Sequence, residues 1–210
     1  RDLHLYHRGQ RQMCIRDRED IKGLKMRIPG MGGDVITRAG GISVTIAGGE
    51  LYTAMQTGVI DALEWVSPYN DIALGFHQVA KYYYYPGWHE PGPTLELIVN
   101  KDALASLPAD LQAIVETAAR AVNQDMLDEY TARNNEAVVS LVETHGVQLK
   151  KLPDEVVAEL RNISEDMLEE LADDSDISRR IAESVKAFQK QATAYHAISE
   201  EAYYEARKQK

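Results

Sequence analysis

The sequence predicts an α/β fold, a lobe built on a mixed, mainly parallel sheet, followed by long C-terminal helices. Two observations carry this. From Glu19 to Asn100 short β-rich runs alternate with helical ones, the order that lays parallel strands side by side with helices crossing between them. After Pro108 the apolar residues fall at helical spacing, Leu111, Ile114, Val115, Ala118, Val122 and Met126 among them. With 210 residues and 44% hydrophobic content, the chain has enough apolar side chains for a sizeable core.

Taken in order, Arg1 to Arg18 is basic in an otherwise acidic chain and shows neither helical nor strand periodicity. It reads as a foreign or disordered lead. Lys25–Ile28 is the first expected strand, stopped by Pro29 and Gly30, and the β-branched run Ile42–Ile46 is the second. Gly48, Gly49 and Glu50 open a helix with Leu51, Ala54, Met55 and Val59 on one face, and Gly58 suits its C-terminal cap. A third strand is expected over Ile60–Val66, a helix over Asn70–Ala80, a tyrosine strand in KYYYYPG, and a closing strand over Thr94–Asn100. One long helix follows at about 108–146, then a short strand in VQLKKL and a helix starting at Pro153 and Asp154. An acidic turn near Asp173 to Asp176 precedes a last helical stretch. The expected organisation is a lead over 1–18, an α/β lobe over 19–152 and a helical tail over 153–210. In the tail Ile177, Ile181, Val185, Phe188, Ala192, Tyr195, Ile198 and Ala202 form an apolar stripe suited to a partner surface.

Composition narrows the function. A formal net charge of -10 and a pI near 5.1 argue against nucleic acid and anionic membranes, which reward a basic excess. No run reaches the length of a membrane span and no signal peptide opens the sequence, so the protein is expected to be cytosolic or to start upstream of these residues. Cys14 is the single cysteine, which leaves no internal disulfide and no cysteine-rich zinc site. The glycines of Pro29 to Gly33 fit neither a P-loop nor GxGxxG. His89 and Glu90 resemble the start of a zinc-protease HExxH motif, but Pro91 and Pro93 forbid the helix it needs. No GxSxG elbow marks a nucleophile.

What remains are charged groups at strand ends, where open α/β sheets bind ligands. Arg27 sits between Met26 and Ile28, and reads either as a guanidinium that grips a carboxylate or as a surface arginine on an edge strand. Glu64 interrupts the apolar run Ile60–Val66 and must be ion-paired or coordinate a cation. Glu90, on a proline-bounded loop, is a second oxygen donor or a plain loop carboxylate. Carboxylates without cysteine suit a hard cation. The aromatic residues Trp65, Tyr69, Tyr82 to Tyr85 and Trp88 read as core, with a few able to wall a small cleft.

GLKMRIPGMGG, AGGELYTAMQTGVIDALEWVSPYND and VAKYYYYPGWHEPG, in that order and followed by long helices, resemble the second lobe of the DctP-type receptors of TRAP transporters, nearest the 2-oxo-acid branch. The resemblance covers Glu19 to Lys210. It implies a periplasmic-binding-protein-like lobe of a two-lobed periplasmic receptor that passes its ligand to membrane permease subunits. It further implies that Arg27 binds the substrate carboxylate, that Glu64 and the Trp65 carbonyl hold a Na⁺ or Ca²⁺ ion, and that Glu90 serves metal or substrate. Relatives in this branch dimerise through a C-terminal helix, so a homodimer is expected. The family pattern has a glutamine upstream of the arginine, and Tyr6 stands near that place here. The residues alone leave two other readings open. One is a metal-dependent enzyme of 2-oxo acids with Glu64 or Glu90 as general base, and the other is a helical dimerisation module.

Overall fold

A computed structural model describes residues 14–90 and 96–209. Most of the basic lead, including Tyr6, and the start of the last expected strand at Thr94 lie outside the described residues. The chain divides into two compact units, Arg1–Leu160 and Arg161–Lys210.

In the first unit β1 (Lys25–Arg27) is followed by α1 (Gly30–Arg38), β2 (Ile42–Val44), α2 (Leu51–Thr57) and β3 (Ala62–Leu63). The three strands form one parallel sheet in the order β2-β1-β3, with Arg27 opposite Val44 on one side and Leu63 on the other. This register brings the carboxyl ends of β1 and β3 to the same edge, which is what positions the site. Next come α3 (Pro68–Ala73) and β4 (Tyr82–Tyr85), then α4 (Lys101–Ala105), α5 (Ala109–Glu143) and β5 (Gln148–Lys151). β4 and β5 make a second, two-stranded parallel sheet, so every described strand pair is parallel. The α/β fold class expected from the sequence stands.

Leu51, Ala54, Ile60 and Phe76 are buried together under the first sheet, with Val44, Leu63 and Trp65 packed against them. Burying a side chain such as Leu51 contributes about 1.5–3 kcal/mol. α2 keeps the expected face at Leu51 and Ala54, while Val59 comes after the helix and is exposed. Gly58 ends α2 at φ 73°, the left-handed conformation that glycine adopts without a Cβ penalty.

Several expected elements differ in extent. The third strand contributes only Ala62 and Leu63, plus a bond from the Glu64 amide to the Arg27 carbonyl, because β1 ends there and offers no further partner. The helix expected over Asn70–Ala80 stops at Ala73, where Gly75 turns at φ 73° and a 3-10 turn, Phe76–Gln78, sends Phe76 into the core. No strand forms over residues 96–100. Ile98 is 84% exposed there with no strand alongside among the described residues, and a β-rich run needs a neighbour to be a strand. α5 is the expected long helix, yet only Ala137 and Leu141 of its residues are buried. Ile114, Val122 and Leu127 stand exposed.

The second unit begins within α6 (Asp154–Asp173) and continues through α7 (Asp176–His196) and α8 (Glu200–Lys208). Ser175 caps α7 by accepting from the Ser178 amide at 3.1 Å. The apolar stripe is divided between two helices, since helix is interrupted by a turn at Ala197 to Ser199, which contains Ile198. No helix among the described residues is long and apolar enough to cross a membrane.

Candidate functional site

Arg27 closes β1 and Glu64 follows β3 directly, so parallel pairing sets the two side by side. The guanidinium Nη1 donates to Glu64 Oε1 at 2.5 Å and to the Glu64 carbonyl at 3.2 Å, and Nε donates to the Ile46 carbonyl at 3.3 Å. Its carbon lies 5.1 Å from the centre of the Trp65 ring, a cation–π contact. Trp65 is braced edge-on by Phe76, and its far edge lies against Gly48, where an added Cβ would stand 2.6 Å from Cη2. Side-chain exposure is 12% for Arg27 and 18% for Glu64. This is therefore a largely desolvated ion pair, costly to break by removing one partner.

With Oε1 held by Arg27, Glu64 Oε2 faces the loop after β4. His89 Nε2 lies 3.9 Å from it and 4.0 Å from Glu90 Oε2. One donor atom from each of Glu64, His89 and Glu90 falls within 4.8 Å of the others. Burial pushes the Glu64 carboxyl up, Arg27 pulls it down, and the Glu90 charge pushes it up again, with a net rise. Burial also lowers His89, against a smaller upward pull from Glu90.

These groups share the wall of a cavity of about 460 Å³, with Glu64, Trp65, Asp71, Tyr83, His89 and Glu90 in its lining. The size suits a small ligand. Arg27 is not part of the wall; the Ile46 carbonyl, Glu64 and Trp65 surround its guanidinium. The structure thus brings together Arg27, Glu64 and Trp65, and places Glu90 near them on a side chain that is 53% exposed. The two carboxylates, one with an oxygen left free by the ion pair, fit a hard cation.

Residues 3–174 match the DctP family model, described as bacterial extracellular solute-binding protein, family 7. The chain belongs to the DctP family. Among relatives of this DctP chain is a monocarboxylate 2-oxoacid-binding periplasmic protein of Nostoc sp., 43% identical over 189 residues, 90% of this chain and 52% of the relative. A TRAP periplasmic solute binding protein from Colwellia psychrerythraea, with bound calcium and pyruvate, superposes with a TM-score of 0.88 at 38% identity, covering 95% of this chain and 61% of that one. Another from Pseudoalteromonas atlantica, with bound sodium and pyruvate, gives 0.87 at 38% identity, covering 94% and 60%. The chain thus spans about half to three fifths of the length of these proteins.

Three residues that line this cavity, Asp71, Tyr83 and His89, do not stand out as site residues in the sequence. Asp71, on α3, is buried, and its Oδ2 accepts from the Tyr83 hydroxyl at 2.7 Å while no described group bonds Oδ1. Burial pushes its carboxyl up to about 6, with Glu64 adding to the rise against the Tyr83 bond. Tyr83 was legible only as one of four tyrosines. His89 stands out in the sequence only through the failed zinc-protease motif, and its place beside Glu90 on a proline-bounded loop is the signal for it.

Proposed function

We propose that this chain is the second lobe and helical tail of a TRAP receptor that captures a small 2-oxo monocarboxylate, of the pyruvate class, together with Na⁺ or Ca²⁺. Arg27 grips the carboxylate through its planar fork. Glu64, the Trp65 carbonyl and Glu90 hold the cation. The observation that carries this is the desolvated Arg27–Glu64 pair at a shared strand edge. A carboxylate ligand and a cation, arriving together, each take over one half of that pair, so neither charge is left unpartnered. The ligands named for the Nostoc, Colwellia and Pseudoalteromonas proteins support the same assignment.

The receptor works in the periplasm, delivers its ligand to membrane permease subunits and catalyses no reaction. In the full-length receptor, pyruvate with Ca²⁺ is expected to raise the melting temperature at one-to-one stoichiometry while the pyruvate is recovered unchanged. Consumption of pyruvate would favour instead an enzyme with Glu64 or Glu90 as base.

The tail supports a homodimer. On α7, Ile177, Ile181, Val185, Phe188 and Tyr195 are all more than half exposed, a face whose exposure to water costs free energy. Light scattering is expected to report a dimer that is lost on deleting the chain after Ser175. A monomer at high concentration, with unchanged stability on deletion, would remove this assembly.

A further inference from the structure

The placement of His89 is not accounted for by a site made only of oxygen donors. Its Nε2 stands between two carboxylate oxygens, 3.9 Å from Glu64 and 4.0 Å from Glu90. Neither separation is a hydrogen bond. The ring is nonetheless held in place, because Trp88 packs on it with centroids 4.9 Å apart. On another side lies Gly32 of α1, where a Cβ would come within 3.3 Å of the imidazole Cδ2. Arg27 occupies Glu64 Oε1 and so leaves the other oxygen turned toward the imidazole. The side chain of Glu90 is half exposed and free to close the remaining gap.

Building on the proposed cation site, we infer that His89 is a nitrogen ligand to the same ion, which lets the site take borderline divalent metals of the zinc class as well as Na⁺ or Ca²⁺. Carboxylates alone suit hard ions, whereas an imidazole nitrogen adds affinity for zinc, nickel and copper and little for calcium. Zinc accepts histidine nitrogen and glutamate oxygen together at about 2.0–2.2 Å. Donor atoms that lie within 4.8 Å of one another need only a small closure to meet it. His89 thereby sets cation preference, separately from the grip on the carboxylate.

The full-length receptor with pyruvate present serves for the test, because the cation takes over Glu64 only when a carboxylate takes over Arg27. Zn²⁺ and Ca²⁺ are titrated calorimetrically, with pyruvate present, into wild type, His89→Ala and Glu64→Gln. The expected result is that His89→Ala weakens Zn²⁺ at least tenfold and Ca²⁺ less than threefold, while Glu64→Gln weakens both. If His89→Ala leaves the ratio of Zn²⁺ to Ca²⁺ affinity unchanged while Glu64→Gln weakens both ions, the histidine ligand is refuted and the cation site stands. If Glu64→Gln alters neither ion, or neither ion binds, the cation site fails and the histidine ligand fails with it.

Discussion

Arg27→Lys is expected to weaken pyruvate binding by the full-length receptor about a hundredfold, close to 3 kcal/mol. The loss exceeds that of a conservative swap because an ammonium cannot reproduce two parallel hydrogen bonds to a carboxylate. It also cannot keep the paired contacts to the Ile46 and Glu64 carbonyls that fix the guanidinium against Trp65. Glu64→Gln is expected to weaken the cation first and pyruvate second, with partial rescue by excess cation. Calorimetric titration separates this from a structural role. A purely structural ion pair would lower the melting temperature of both variants and leave the affinity of the folded protein as it was.

Asp71→Asn is expected to stabilise the chain at pH 7 by about 3 kcal/mol and to have no such benefit near pH 4. Burial raises this carboxyl from the ordinary 3.8 to about 6. Between these values the folded state holds a proton that the unfolded state has released. Stability from this group is therefore complete below pH 3.8, falls as pH rises through about 6, and stays low above it. Asparagine cannot ionise and still offers Tyr83 an acceptor, so it removes the loss while keeping the bond. Denaturant midpoints of both proteins from pH 4 to 8 read the effect. A constant difference across that range would show that ionisation of Asp71 carries no burial cost.

The sheet edge was legible because its cues are local. The short run Lys25–Ile28 stopped by Pro29, the β-branched run Ile42–Ile46, and a glycine at the end of α2 each specify backbone conformation on their own; β1 and β2 begin where expected and end one and two residues sooner, and Gly58 caps α2. Arg27 and Glu64 were legible as charges inside apolar runs, but their pairing depends on the β1–β3 register, which no local pattern encodes. The extents of strands failed for the same reason. Ile60–Val66 is strand-like apart from Asp61 and Glu64, yet its pairing stops with its neighbour, and residues 96–100 have no strand alongside among the described residues. Asp71 was hidden because a carboxylate at the start of a helix is ordinarily a solvated one, and only tertiary packing buries it beside the Tyr83 hydroxyl. The long helix was legible from its period, whereas how little of it is covered was not.

If cation and 2-oxo acid share one site, their affinities are linked. Pyruvate is titrated into the full-length receptor with Ca²⁺ and with chelator, and Ca²⁺ is titrated with and without pyruvate. Two ligands that divide the Arg27–Glu64 pair must strengthen each other by the same factor, expected to exceed tenfold. A pyruvate affinity that is the same in Ca²⁺ and in chelator would contradict the shared site.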